Sequence, residues 1–438
     1  MATASSEGGR LGRDEERRPA SKENLGGDIT PNIMAVNCGS GLWRPKRIRA
    51  AVHCSLGEIV NEPKKDKEGR GEAMKIERRD EYLPKNLPHD LVVDILSRLP
   101  VKSLVRFKSV SKSWLTLFTD PRFVKMHLNR SQKRMKIVFP SDYSSRLVVF
   151  STHNIDDLTE MHVDSVLQFP STTAEPWVTF IGSCDGLLLC LTSEPLCNLF
   201  EPSKKLYLFN LSTREFNRLP DSLLINRLYI SLLSYGFGYD SCTDDYKIVE
   251  ISRPSYGGSS VAIYTLKTNV WRWIQDIPDV VMHRKHATLL NGSLHWLTKY
   301  TNKILYLNLA DEKFQYFLLP EFDFHITDAA FLSVLRKCLG ICVPIIDIPA
   351  SMVMMEYGKR ESWTSLGLNF PTRDVKPLNY SNEDEILFVL NDHWLGVCNP
   401  QKSTQRYVQI PSDTRFRSLQ LNYAETFLET IVSTSHRS

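Results

Sequence analysis

A short pattern recurs along the larger, C-terminal part of this chain: an apolar strand-like run, a polar turn containing Thr, Ser, Asn or Lys, and a second run with an aromatic. The copies are Leu206–Pro220, Val261–Trp273, Ile304–Phe317, Val353–Trp363 and Trp394–Tyr407. Each is a β-hairpin in outline. They return at intervals of roughly 40 to 55 residues, the scale of one four-stranded propeller blade. Between them lie further strand pairs such as Ala287–Leu297, where Asn291-Gly292 suits a tight hairpin turn. Six blades fill the length best, with seven next. The final apolar run Phe427–Val432 is placed to pair with an early strand and close the ring, which would remove two exposed sheet edges.

A different texture precedes this region. From Leu83 to Leu128 the apolar spacing is helical: Leu91, Ile95 and Leu99 fall four apart, with Val92 and Leu96 beside them. Pro88 suits a first turn, Asp90 the positive end of the helix dipole, and Pro100 a stop. A second helix is expected near Val101 with Leu104, Val105 and Phe107. A third, capped by Ser111, carries Trp114, Leu115 and Phe118. A fourth is opened by Asp120-Pro121 and carries Phe123, Val124 and Leu128. Helices this short cannot bury all of these side chains among themselves. The remaining surface must meet the rest of the chain or a partner.

Over this stretch the chain resembles an F-box of the plant type. Leu87-Pro88, Leu91, Ile95-Leu96, Leu99-Pro100, Leu104-Val105, Phe107, Val110 and Ser111-Lys112-Ser113-Trp114 match in order, spacing and residue type, with Ser111 where many members carry cysteine. The resemblance implies docking on a Skp-type adaptor and, through it, on a cullin-based ubiquitin ligase. The side chains it nominates for that contact are Leu87, Pro88, Leu91, Val92, Ile95, Leu96, Leu99, Pro100, Leu104, Val105, Phe107, Val110 and Trp114. The later region resembles the F-box-associated, kelch-like domain of plant proteins through Ile181–Cys190, Tyr235–Asp240 with Asp244–Lys247, Gly292–Trp296 and Glu361–Trp363.

Composition narrows the alternatives. A net charge of +4 over 438 residues is too mild to imply nucleic acid. No apolar run approaches the ~20 residues that span a bilayer, and no secretory signal is read at the N-terminus. Nine scattered cysteines without a CxxC pair fit a reducing compartment, cytoplasmic or nuclear. In such a compartment the glycosylation-pattern asparagines, Asn129, Asn210, Asn291 and Asn379, carry no meaning. Cys338 and Cys342 lack a second metal half-site, and His283, His286 and His295 lack the context that would join them on zinc. Asp185-Gly186 and the Gly236, Gly238 pair read as turn and packing glycines rather than phosphate loops. Asp240, Asp244 and Asp245 read as an exposed turn rather than a calcium loop. Trp271, Trp273, Trp296, Trp363 and Trp394 are expected between blades, a minority of them at a binding rim. No nucleophile elbow or paired carboxylate motif stands out.

The expectation is therefore an α+β multidomain chain. Residues 1–80 form a polar tail that cannot bury enough surface to order. Within it Trp43–Arg49 is a basic cluster that reads first as part of a solvated charged tail and second as a nuclear-import signal or an acidic-surface contact. Residues 81–130 form a small all-α F-box of three to four helices, and residues 136–432 a large all-β propeller. No cofactor or catalysis is expected. The partners expected are the adaptor, a cullin scaffold and an unidentified target protein on the propeller rim. A propeller enzyme and an F-box scaffold working outside a ligase are the rival readings.

Overall fold

The computed structural model describes residues 88–131, 135–141, 146–151, 162–169, 177–194, 203–222, 230–254, 258–277, 281–282, 286–321, 330–343, 351–367, 375–378, 385–390, 394–399, 402, 404–409 and 424–435. The N-terminal tail with its basic cluster, Leu87, His283 and Asn379 lie outside them.

Four helices come first: α1 (His89–Leu96), α2 (Val101–Phe107), α3 (Lys112–Thr119) and α4 (Pro121–Ser131). Their starts follow local chemistry. Pro88 and Pro100 stand at the N-caps of α1 and α2, where a missing N–H costs nothing. The Ser111 side chain caps α3 by accepting from the Trp114 amide at 3.2 Å. Asp120 accepts from the Arg122 amide at 2.7 Å at the head of α4. Helix α1 ends at Leu96, one turn earlier than the apolar spacing suggested, and leaves Leu99 in the turn before Pro100.

Among the described residues, twenty-four strands then form six four-stranded antiparallel sheets. The blade containing the ring closure is ordered β24 (Glu425–Leu428), β1 (Met135–Pro140), β2 (Arg146–Ser151), β3 (His162–Gln168). The next blades run in chain order: β4–β7 (Trp177–Cys184, Leu187–Glu194, Ser203–Asn210, Glu215–Arg218) and β8–β11 (Ile230–Asp240, Asp245–Pro254, Ser259–Thr265, Val270–Ile277). Then follow β12–β15 (Thr288–Leu290, Ser293–Leu297, Lys303–Asn308, Phe314–Leu318), β16–β19 (Phe331–Leu335, Cys338–Cys342, Ser351–Met354, Trp363–Ser365) and β20–β23 (Val375–Leu378, Ile386–Leu390, Trp394–Asn399, Thr404–Gln409). The repeats read from sequence are the two outer strands of the second to sixth blades. The expected closure occurs: Lys136 pairs with Phe427 and Val138 with Glu425. Only the start of the apolar run is strand, and the rest takes another course.

Each seam between neighbouring blades holds its own apolar cluster, one for every pair around the ring. Both faces of the inner strands are consequently buried. Trp271, Trp296 and Trp363 lie in these seams as expected, whereas Trp273 and Trp394 are exposed.

Antiparallel order sorts the connections by face. In the second to fourth blades the first-to-second and third-to-fourth strand turns, and in the fifth the first-to-second, share one end of the ring. They are tight, with non-glycine residues at positive φ: Asp185, Arg214, Asp244, Asn269, Asn291, Glu312, Arg336 and Lys337. At the opposite end the connections range from the short turn between Leu297 and Lys303, with Tyr300 and Asn302 at positive φ, to longer stretches of sequence such as Leu318 to Phe331 or Arg218 to Ile230.

Candidate functional site: the helical unit on the tight-turn face

The four helices share a small core of Leu96, Val101, Leu104, Phe118 and Phe123, with one residue from the far end of the chain, Ile431. An aromatic row runs through it: Phe107 to Trp114 at 5.3 Å, Trp114 to Phe118 at 6.0 Å and Phe118 to Phe123 at 5.3 Å between centroids. Polar contacts lock α1 to α4. Arg130 donates to the Asp94 carbonyl at 3.0 Å and to its carboxylate at 2.7 Å, and buried His127 meets the Leu99 carbonyl at 3.0 Å. Hydrogen bonds from Arg98 and Arg130 hold the Asp94 carboxyl below the usual carboxylate range.

One side of the unit sits on the tight-turn face of the ring. Val124 and Leu128 pack against the seam between the second and third blades. Lys102 reaches Asp164 at 3.0 Å, Lys108 reaches Glu215 at 3.9 Å and Lys125 reaches Asp244 at 4.0 Å. Part of the helical apolar surface is thus spent on the chain itself.

The rest is not. Leu91 is 52% exposed, and Val110 and Leu115 are each 42% exposed. Pro88 and Pro100 are exposed too, while Val92, Ile95, Leu99, Val105, Phe107 and Trp114 are half-buried. Arg106 and Lys112 lie exposed on either side of Val110 in the chain. Two of the nominated docking residues are placed differently. Leu96 is buried and Leu104 has no exposed surface at all, because both fill the core of the unit. The surface open to a partner is therefore narrower than the motif, and it includes Leu115, which the motif reading left out. The signal for it was present: Leu115 follows Trp114 and so projects from the neighbouring side of α3.

The remaining candidate residues are structural. Asp240 is buried rather than exposed, accepting from the Cys242 amide and the Thr243 hydroxyl and pairing with Lys247 at 2.8 Å. Asp245 is also buried and accepts from the Lys267 amide at 3.1 Å. His295 is held between the Thr288 carbonyl on Nδ1 (3.1 Å) and the Tyr357 hydroxyl on Nε2 (2.7 Å). Burial lowers its pKa to about 4, so the ring is neutral. Cys338 and Cys342 share strand β17, and among the described residues no group of His, Cys, Asp or Glu is arranged to hold a metal ion. Among them, too, no helix is long and apolar enough to cross a membrane.

A four-helix unit with exposed apolar side chains, seated on one face of a six-bladed ring, defines a propeller protein with a helical N-terminal unit. Comparison with known proteins makes this specific. Residues 85–126 match the F-box domain and residues 136–433 the F-box associated beta propeller domain. The chain belongs to the family of F-box proteins carrying an F-box associated beta propeller domain. It is 29% identical to F-box protein CPR1 of Arabidopsis thaliana over 372 residues, covering 74% of this chain and 86% of that protein. An F-box/kelch-repeat protein of the same plant is 27% identical over 320 residues, covering 68% of this chain and 84% of that one. Among solved structures, TolB from Acinetobacter baumannii overlaps 67% of this chain and 66% of its own, with a TM-score of 0.40 and 8% identity.

Proposed function

We propose that this chain is the substrate-recognition subunit of a Skp–cullin–F-box ubiquitin ligase, working in the cytoplasm or nucleus. The observation that carries the reading is the division of the helical surface. One side is committed to the ring, and Pro88, Leu91, Ile95, Leu99, Pro100, Val110 and Leu115 remain on the surface, fully or in part, as an apolar face. A few such side chains entering a groove carry most of the affinity of a helical docking contact. Exposed Arg106 and Lys112, on either side of Val110 in the chain, favour an adaptor of acidic surface by steering its approach.

The target protein is captured at the opposite end of the ring. Stiff turns and the helical unit occupy the near face, and binding residues concentrate on long connections held by a rigid scaffold. The chain itself performs no bond chemistry. It raises the local concentration of target lysines near a charged conjugating enzyme.

The test is co-purification of the full chain with a plant Skp-type adaptor and cullin. Replacing Leu91 and Ile95 by Asp abolishes adaptor binding and leaves the circular dichroism of the ring unchanged. Survival of binding refutes the docking face. Adaptor without cullin shows an F-box scaffold outside a ligase instead.

A further inference from the structure

Beyond β24 the chain does not stop at closing the ring. Residues 429–435 leave the first blade, cross the tight-turn end of the second and run beneath the helices. The crossing is tightly specified. Buried Asn210, at the end of β6, donates through Nδ2 to the carbonyls of Thr430 (3.1 Å) and Val432 (2.7 Å). Its Oδ1 accepts from the amides of Ser212 (2.8 Å) and Thr213 (3.2 Å), so all of its hydrogen-bonding capacity joins this strap to the turn of the second blade. Asn217 donates to the Thr434 carbonyl at 3.1 Å. Gly186 lies so close that an added Cβ would stand 2.0 Å from Thr430 Cγ2. Glu429 meets Lys136 at 2.6 Å, and Lys136 joins the Asp164–Lys102 bridge at 2.9 Å. Along the strap the side chains alternate. Val432 enters the seam between the second and third blades, and Ile431, 3% exposed, enters the helical core.

The helical unit is thus too small to complete its own core and borrows the last piece from the opposite end of the chain. That piece directly follows β24, which closes the ring on β1. We propose that ring closure licenses the helical unit: Ile431, delivered by the strap, folds the helices into the form that presents the apolar face. A chain whose ring is open or cut short before Ile431 then carries the whole motif in sequence and lacks its docking form. The consequence for adaptor binding rests on the function proposed above, whereas the coupling of helices to strap does not.

Hydrogen exchange of the full-length chain reads the coupling without any partner. In Ile431→Ala, amides of α1–α4 are expected to exchange roughly 30-fold faster, the low end for loss of a buried aliphatic side chain, while β9, β10 and β14 keep their protection. Asn210→Ala loosens the same helices through the strap, and Tyr300→Ala, at a fully exposed side chain, changes nothing. Unchanged helix protection in both strap variants overturns the proposal. So does an equal loss across all blades, which would make Ile431 a general stability residue. Titration with a recombinant Skp-type adaptor follows. Ile431→Asp is expected to weaken binding about tenfold or more, by lowering the population of folded helices. Loosened helices with undiminished affinity leave the coupling standing and refute the docking reading alone.

Discussion

Glu250 is the most exposed weakness in the energetics of the ring, although the side chain itself has no exposed surface. It lies on β9, paired across the sheet with Tyr235 on β8 and Ala262 on β10, and it faces the second blade. The Tyr235 hydroxyl beside it has no partner, and a side-chain hydrogen bond from Ser222 offsets only part of the cost of burying the carboxylate. Desolvation raises its pKa from 4.5 to about 7, against smaller opposing effects of Ser222 and Lys204. Because the folded state holds the proton more tightly than the unfolded chain, Glu250 costs nothing below about pH 4.5. Its cost grows as pH rises from 4.5 through 7 and is constant above. The difference of about 2.5 units corresponds to about 3 kcal/mol at pH 8. Glu250→Gln removes the charge and leaves an amide needing partners, which returns about 1 kcal/mol of that gain. The variant is therefore expected to be about 2 kcal/mol more stable than the parent at pH 8 and no more stable at pH 5. Urea unfolding of both proteins at pH 5, 6, 7 and 8 measures this, and every other titrating group cancels in the difference. Parallel stability curves, with no divergence between pH 5 and 7, would refute a buried carboxyl that ionises at a cost.

Other perturbations test the joints of the ring. Lys247 bridges Asp240 (2.8 Å) to Glu312 (2.9 Å) and the Leu309 carbonyl (2.6 Å) of the next blade. Lys247→Met leaves buried Asp240 without its cation, while Glu312 keeps Arg272, and is expected to cost about 3 kcal/mol, read as a lower urea midpoint. Gly186→Ala combines a φ of +81° with a clash against the strap and is expected to cost about 3 kcal/mol in the same assay. His295, neutral because it is buried, binds a proton more weakly folded than unfolded. Its contribution is complete above pH 6.5 and is lost as pH falls through about 4, so His295→Gln is expected to flatten the acid limb of the unfolding profile.

The blades were legible because each outer hairpin is a local unit: alternation, a polar turn and an aromatic occur within one short stretch, as in Val261–Trp273. The helix starts were legible for the same reason, since Pro88, Pro100 and Ser111 act on their immediate neighbours. What escaped was decided by distant contacts. The spacing of Leu91, Ile95 and Leu99 marks a face but not which of its residues the core consumes, and so Leu96 and Leu104 were assigned to a partner. Asn210 matched a glycosylation pattern, yet its amide holds the strap more than two hundred residues away. Glu250 sits in Lys247–Ile251, where Lys247 and Glu250 fall on opposite faces of the strand and the pattern marks neither face as outward. In a propeller both faces of an inner strand meet another blade, so alternation there no longer separates inside from outside. Asp240 was misread for a related reason, because its cation, Lys247, lies across the hairpin rather than next to it.

Among the described residues most left-handed non-glycine residues, Tyr300 and Asn302 excepted, lie at one end of the ring, and this bears on how such chains diversify. Asp185, Arg214, Asp244, Asn269, Asn291 and Glu312 fix turns whose lengths cannot change without shifting strand register. At the other end a stretch such as that between Leu318 and Phe331 can gain or lose residues and leave every pairing intact. Duplicated genes of this architecture are therefore free to rewrite one surface at little cost in foldability, while the other is held nearly constant by backbone chirality alone.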